Sequence, residues 1–81
     1  MKYIVGLIDN LKYCRTFQYA SLEEAKKELH EWKNIFMNNN VVLERTTIIN
    51  RDVCDNISSV KHCFMLKDNS NVILFLSKNE N

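Results

Sequence analysis

One stretch of this chain repeats its apolar residues at the spacing of a helix more clearly than any other. In "SLEEAKKELHEWKNIFMNNN", residues 21 to 40, Leu22, Ala25, Leu29, Trp32 and Phe36 recur at steps of three and four, with Ile35 at the margin. That spacing places them on one stripe of a helical cylinder. Glu23, Lys27, Glu31 and Asn34 fall on the other side, with Glu23 and Lys27 at the favourable i, i+4 separation. Ser21 followed by Glu24 matches a capping box, in which the serine oxygen accepts the amide three residues on. The helix is expected to start there. Asn38, Asn39 and Asn40 are expected to end it, because asparagine enters the left-handed conformation more readily than other non-glycine residues.

Most of the remaining chain alternates with period two or carries turn residues. "KYIVGLID", residues 2 to 9, sets Tyr3, Val5 and Leu7 against Ile4, Gly6 and Ile8, as a strand does. "DNLK" then reads as a turn, and "YCRTFQY", residues 13 to 19, as a second strand that closes a hairpin. "VVLERTTIINR", residues 41 to 51, is rich in β-branched residues and reads as a long strand, with Glu44 and Arg45 marking it as an edge. Residues 52 to 60 are ambiguous; a short helix capped by Asp52, or a turn, is favoured. Residues 61 to 67 and 72 to 77 are two strands joined by "DNSN", a strong hairpin loop combination. The terminal "SKNEN" is polar and expected to fray.

These readings give an α+β domain of order β-β-α-β-(short α or loop)-β-β, an antiparallel-rich sheet with one amphipathic helix on one face. At 81 residues a single domain over residues 1 to 81 is expected, because a chain of this size has material for one core. One helix covers one sheet face. Yet the first strand and the last, where Val72, Leu74 and Leu76 alternate with Ile73 and Phe75, are apolar on both faces. Either sheet curvature and residues 52 to 60 close over the second face, or a homodimer or a protein partner does.

Composition narrows the class of function. The chain is 46% hydrophobic and 26% charged with a formal net charge of +1, the balance of a folded domain rather than a disordered one. A nucleic-acid binder usually carries a basic excess, and a nucleic-acid mimic needs an acidic one. Apolar runs such as Val72 to Leu76 are far shorter than the roughly 20 residues a membrane span needs, and the N-terminus reads as a strand rather than a signal peptide. The three cysteines, Cys14, Cys54 and Cys63, are odd in number and widely spaced, so no disulfide framework is indicated and a reducing cytoplasmic setting is expected. Asparagine is abundant, lysine outnumbers arginine eight to three, and proline is absent. AT-rich codons favour all three, which points to a low-GC bacterial or phage gene.

No catalytic constellation emerges. His62 and Cys63 adjoin in sequence, but neighbours in a strand point to opposite faces. A zinc site needs about four ligands in tight pairs, and only Cys14, Cys54, Cys63 and His62 would be available, without a CxxC pair. A cysteine nucleophile needs a nearby base, and the other histidine, His30, falls toward the wet side of the helix. Gly6 is the only glycine, which removes phosphate-cradling loops. The carboxylates Glu23, Glu24, Glu28 and Glu31 read as solvated helix charge. No enzyme, cofactor or metal is therefore expected.

The sequence points instead to a small non-enzymatic protein-binding module. Such a chain suits a phage or mobile-element inhibitor, for example anti-CRISPR-like, that blocks a host or defence enzyme by surface occlusion. The candidate partner-binding residues are Tyr13, Arg15, Phe17 and Tyr19 on the second strand, and Glu44, Arg45 and Arg51 on the third, since aromatic and arginine anchors carry most interface energy. The aromatic-and-basic alternation of the second strand, with Lys12 close by, also resembles platforms on which bases stack, so a small RNA or single-stranded DNA binder is the alternative. A core-facing strand shows the same alternation, and that reading is preferred. A homo-oligomeric structural protein is the third reading, and no membrane partner is expected.

Overall fold

A computed structural model describes residues 2 to 10 and 13 to 79. Five strands, β1 (Lys2–Asp9), β2 (Tyr13–Tyr19), β3 (Val42–Arg51), β4 (Ile57–Leu66) and β5 (Asn71–Asn79), form one antiparallel sheet in the order β2-β1-β5-β4-β3. The helix α1 (Leu22–Asn39) lies across β5, β1 and β2. It touches β3 where Met37 meets Arg45. The sheet has a helix-covered half and a β4–β3 half that projects past it, in a molecule 38 Å long and 22 Å across.

Strand alternation sorts the side chains. Val5, Leu74 and Leu76 are fully buried under α1, with Phe64 and Val72 beside them and Ala25 and Leu29 above. Around this centre pack Tyr3, Leu7, Tyr19, Leu22, Trp32, Phe36, Val42, Val60 and Leu66. Phe17 meets Trp32 edge-on at 5.3 Å, and Phe36 meets Phe64 at 5.0 Å, ring geometries that add to area burial. The opposite face carries Ile4, Gly6, Ile8, Ile73, Phe75, Cys63 and Met65, and no element lies over it among the described residues. There Phe75 lies against Gly6, its cross-strand neighbour, where the ring fills the space a Cβ would need. An aromatic ring laid over a strand glycine restores the contact that the missing side chain forfeits.

Ser21 caps α1, its Oγ accepting from Glu24 N at 3.2 Å. The C-terminal end differs from the left-handed stop expected of the asparagines: Asn40 is extended, with φ −138°. The side chains do the capping instead. Asn39 Nδ2 donates to Ile35 O at 2.7 Å and Asn40 Nδ2 to Phe36 O at 2.9 Å, satisfying carbonyls that the last turn leaves open. Left-handed residues occur where chains reverse, at Asn10, Asp55 and Asn69. Asn10 closes the end of β1 onto β5, its N donating to Asn71 O and its Oδ1 accepting from Asn71 N. The rest of that turn, including Lys12, lies outside the described residues.

One sequence expectation is narrowed to its turn alternative and another is corrected. Residues 52 to 60 hold no helix: Asp52 Oδ1 accepts from Cys54 N and Asn56 N, a side-chain-stabilised turn, and residues from Ile57 onward join β4. The segment therefore does not close over the open face. The "SKNEN" tail is also more ordered than expected, because Ser77, Lys78 and Asn79 pair with Ile4, Tyr3 and Lys2; residues 80 and 81 lie outside the described residues.

The two flanks of α1 differ in charge. Glu28 and Glu31 raise the Tyr19 phenol pKa, after burial as the larger cause, so this side of the helix looks toward β2; Glu24 shares it by helical spacing. Lys33 lies toward His62 of β4, and Met37 toward Arg45 of β3. Lys26, seven residues before Lys33, lies on the same flank.

Candidate docking site on the β3 edge

β3 is a strand of ten residues at the edge of the sheet, and nine of them are exposed. Ile48 is 45% exposed, Ile49 50% and Leu43 55%, with Val41 just before the strand at 60%. Aliphatic side chains beside an unpaired strand edge form a template for another chain, which proteins ordinarily blunt with lysine, proline or a bulge. β3 contains neither lysine nor proline.

Register shifts do occur, but only near its ends. One falls between Val42 and Glu44, where Leu43 is the extra residue, and another at Asn50/Arg51, where Ser58 of β4 is skipped. The first has a purpose legible in the packing. A bulge reverses the inward and outward alternation beyond it, so Val42 packs on the core beside its partner Leu66 while Glu44 pairs with Met65 on the open face. Between the shifts, Glu44–Asn50 runs in uninterrupted register with Ser59–Met65. That is about 24 Å of regular free edge at 3.4 Å per residue.

The two rows of side chains along this edge differ. Glu44, Thr46, Ile48 and Asn50 share the open face, where Ile48 pairs with Lys61. Beside them a shallow depression of about 360 Å³ is lined by Glu44, Thr46, Cys63, Met65, Asn71 and Ile73. Arg45, Thr47 and Ile49 lie on the helix side, paired with Phe64, His62 and Val60. Arg45 Nη1 reaches Met37 Sδ at 3.6 Å, and His62 Nδ1 lies 3.0 Å from Thr47 Oγ1. Burial first, then the charges of Lys33 and Arg45, hold the His62 imidazole below its ordinary pKa. Among the described residues neither Lys33 nor Arg45 forms an ion pair, whereas Arg51 pairs with Asp55 at 3.9 Å.

The residues singled out in the sequence do not make one surface. Glu44 and Arg45 fall on opposite faces of β3. Arg51 is held by the adjoining turn, its Nη1 donating to Asp55 O at 3.1 Å. On β2, at the far edge, Phe17 and Tyr19 face the helix side, and the Arg15 guanidinium sits 6.0 Å from the Phe17 ring centre. Tyr13 opens β2 opposite Asp9. Sequence reasoning missed Ile48, Ile49 and Leu43; the β-branched run Thr46–Ile49 in a strand marked as an edge was the available signal for the first two. It also missed Lys33, which only the sheet order brings beside β3.

His62 and Cys63 face opposite sides of β4, one paired with Thr47 and the other with Thr46. All three cysteines are free, and no three His, Cys, Asp or Glu side chains gather to hold a metal among the described residues. No helix among those residues is long and apolar enough to cross a membrane. No family model, no curated protein and no solved structure matches the chain.

Proposed function

We propose that this chain is a non-enzymatic protein-binding module that docks through the β3 edge and the adjoining open face. The carrying observation is the exposed run of Leu43, Ile48 and Ile49 on an unpaired edge strand. The half of each side chain still in contact with water contributes nothing to the fold, whereas covering it contributes about 1 kcal/mol of gross burial to an interface, half of the value for a fully exposed aliphatic residue. The depression beside Cys63 and Ile73 offers a seat for one partner side chain, the arrangement in which interface energy concentrates. Acting by occlusion, such a module fits a phage or mobile-element inhibitor of a host or defence enzyme.

The nucleic-acid alternative has less support. It relied on β2, where Trp32 occupies one side of Phe17 and Arg15 approaches its ring, leaving fewer free faces for bases.

The test uses the chain as bait in nuclease-treated bacterial lysate. A stoichiometric protein retained by the wild type and lost with Ile48→Lys or Ile49→Asp, at unchanged thermal midpoint, is the expected result. Retention that survives both substitutions, or that requires nucleic acid, overturns the reading.

A further inference from the structure

Resting on that reading of β3, we propose the kind of partner it takes: an extended, acidic segment of another protein that pairs with Glu44–Asn50 as a sixth strand. Strand addition satisfies the backbone N–H and C=O groups that an edge leaves open, while alternate side chains supply selectivity. The regular stretch between the two register shifts sets the length of the incoming strand at about seven residues.

The charge on this edge selects the occupant. On the helix side, an added strand sets alternate side chains beside Arg45, Thr47 and Ile49. Arg45 and Lys33 both act on His62, and neither has an ion-pair partner among the described residues. A carboxylate beside Arg45 completes the pair by a charge-assisted hydrogen bond. On the open side, the alternate residues of the same segment meet Thr46 and Ile48, with Asn50 and the carboxylate of Glu44 at the two ends; this row favours apolar or β-branched contacts and keeps the partner's acidic residues to the helix side. The fitting sequence thus alternates acidic and apolar residues.

The same charges disfavour a second copy of this chain. An antiparallel β3–β3 pairing centred on Thr46, Thr47 or Ile48 sets Arg45 directly or diagonally beside Arg45 or Arg51 of the second copy, because cross-strand partners share a face. The β2 edge suits an acidic strand less well, since Glu28 and Glu31 lie on that side of α1 and the Arg15 guanidinium is engaged with the Phe17 ring.

The probes are soluble nine-residue peptides alternating Glu with Val and Lys with Val, and a thymidine oligonucleotide, titrated by fluorescence anisotropy with amide shifts of β3 followed by NMR. The Glu peptide is expected to bind about tenfold more tightly than the Lys peptide, to perturb Arg45–Asn50, and to lose binding when its alternate amides are N-methylated. Arg45→Glu should reverse the preference; Lys27→Glu, an equal charge change on the exposed side of α1, should leave it intact. Binding at β3 without charge preference overturns the acidic partner while leaving β3 as the docking element. No peptide binding, oligonucleotide binding in its place, or a self-dimer through β3 overturns strand addition itself; whether β3 docks a protein is then decided by the lysate result with Ile49→Asp.

Discussion

The two edges of the sheet contain similar strands in opposite circumstances. β2 lies beside α1, and Tyr19 packs at the periphery of the core, while Phe17 meets Trp32 edge-on and stays 44% exposed. β3 meets α1 at Met37 through Arg45, and Leu43, Ile48 and Ile49 stay about half exposed. The helix draws Tyr19 of β2 onto the core and leaves these three aliphatic side chains of β3 outside it. The contrast shows that an apolar strand is a folding element or a docking element according to what lies over it, which strand composition does not reveal.

Substitutions that treat the two halves alike break this comparison. The largest effect is expected at Leu74→Ala in the covered half, where the side chain is fully buried between β1 and β4. Deleting such a side chain costs about 2–5 kcal/mol, a large share of a small domain's stability, and urea unfolding should show it. Ile49→Thr in the projecting half should change stability by no more than about 0.5 kcal/mol. Equal losses at the two sites would mean that β3 is covered in solution.

Next in size is the cap that starts the covering helix. Ser21→Ala removes the acceptor for Glu24 N and should cost about 1 kcal/mol, read as a lower urea midpoint. A smaller effect of pH is expected at the junction of the halves. Burial, Lys33 and Arg45 lower the folded-state pKa of His62 from 6.5, so the unfolded chain binds the proton more readily. Stability should therefore fall as pH drops below about 6.5 toward the folded-state value, and be fully retained above that window. His62→Gln should flatten the slope; an unchanged slope would assign it to other groups.

Much of the covered half was legible in the sequence. The stripe of Leu22, Ala25, Leu29, Trp32 and Phe36, the Ser21 cap and the alternation of β1 each depend on local spacing, and each is found in place. The projecting half was less so. Ser58 and Ser59 have modest strand propensity, but Asn50 donates to Ser59 Oγ and accepts from Ser58 Oγ, so tertiary pairing overrides it. The bulge at Leu43 is equally a matter of pairing, and it separates Glu44 from the core face that Val42 shares. Glu44 therefore stands on the other face from Arg45, and Arg51 is engaged by its turn: the residue types and their adjacency were visible in the sequence, the bulge and the turn contacts were not.

The two flanks of α1 have a kinetic consequence. A formal net charge of +1 suggests an electrically bland molecule, yet Glu24, Glu28 and Glu31 lie toward one end of the sheet and Lys26, Lys33 and Arg45 toward the other. That separation is a transverse dipole. Arg15 on β2 and Glu44 on β3 offset part of it; what remains favours an acidic surface that approaches with its charge toward β3, so encounter is oriented as well as attracted. Such orientation acts over roughly a Debye length, about 10 Å at 0.1 M salt, and raises the association rate more than the lifetime of the complex.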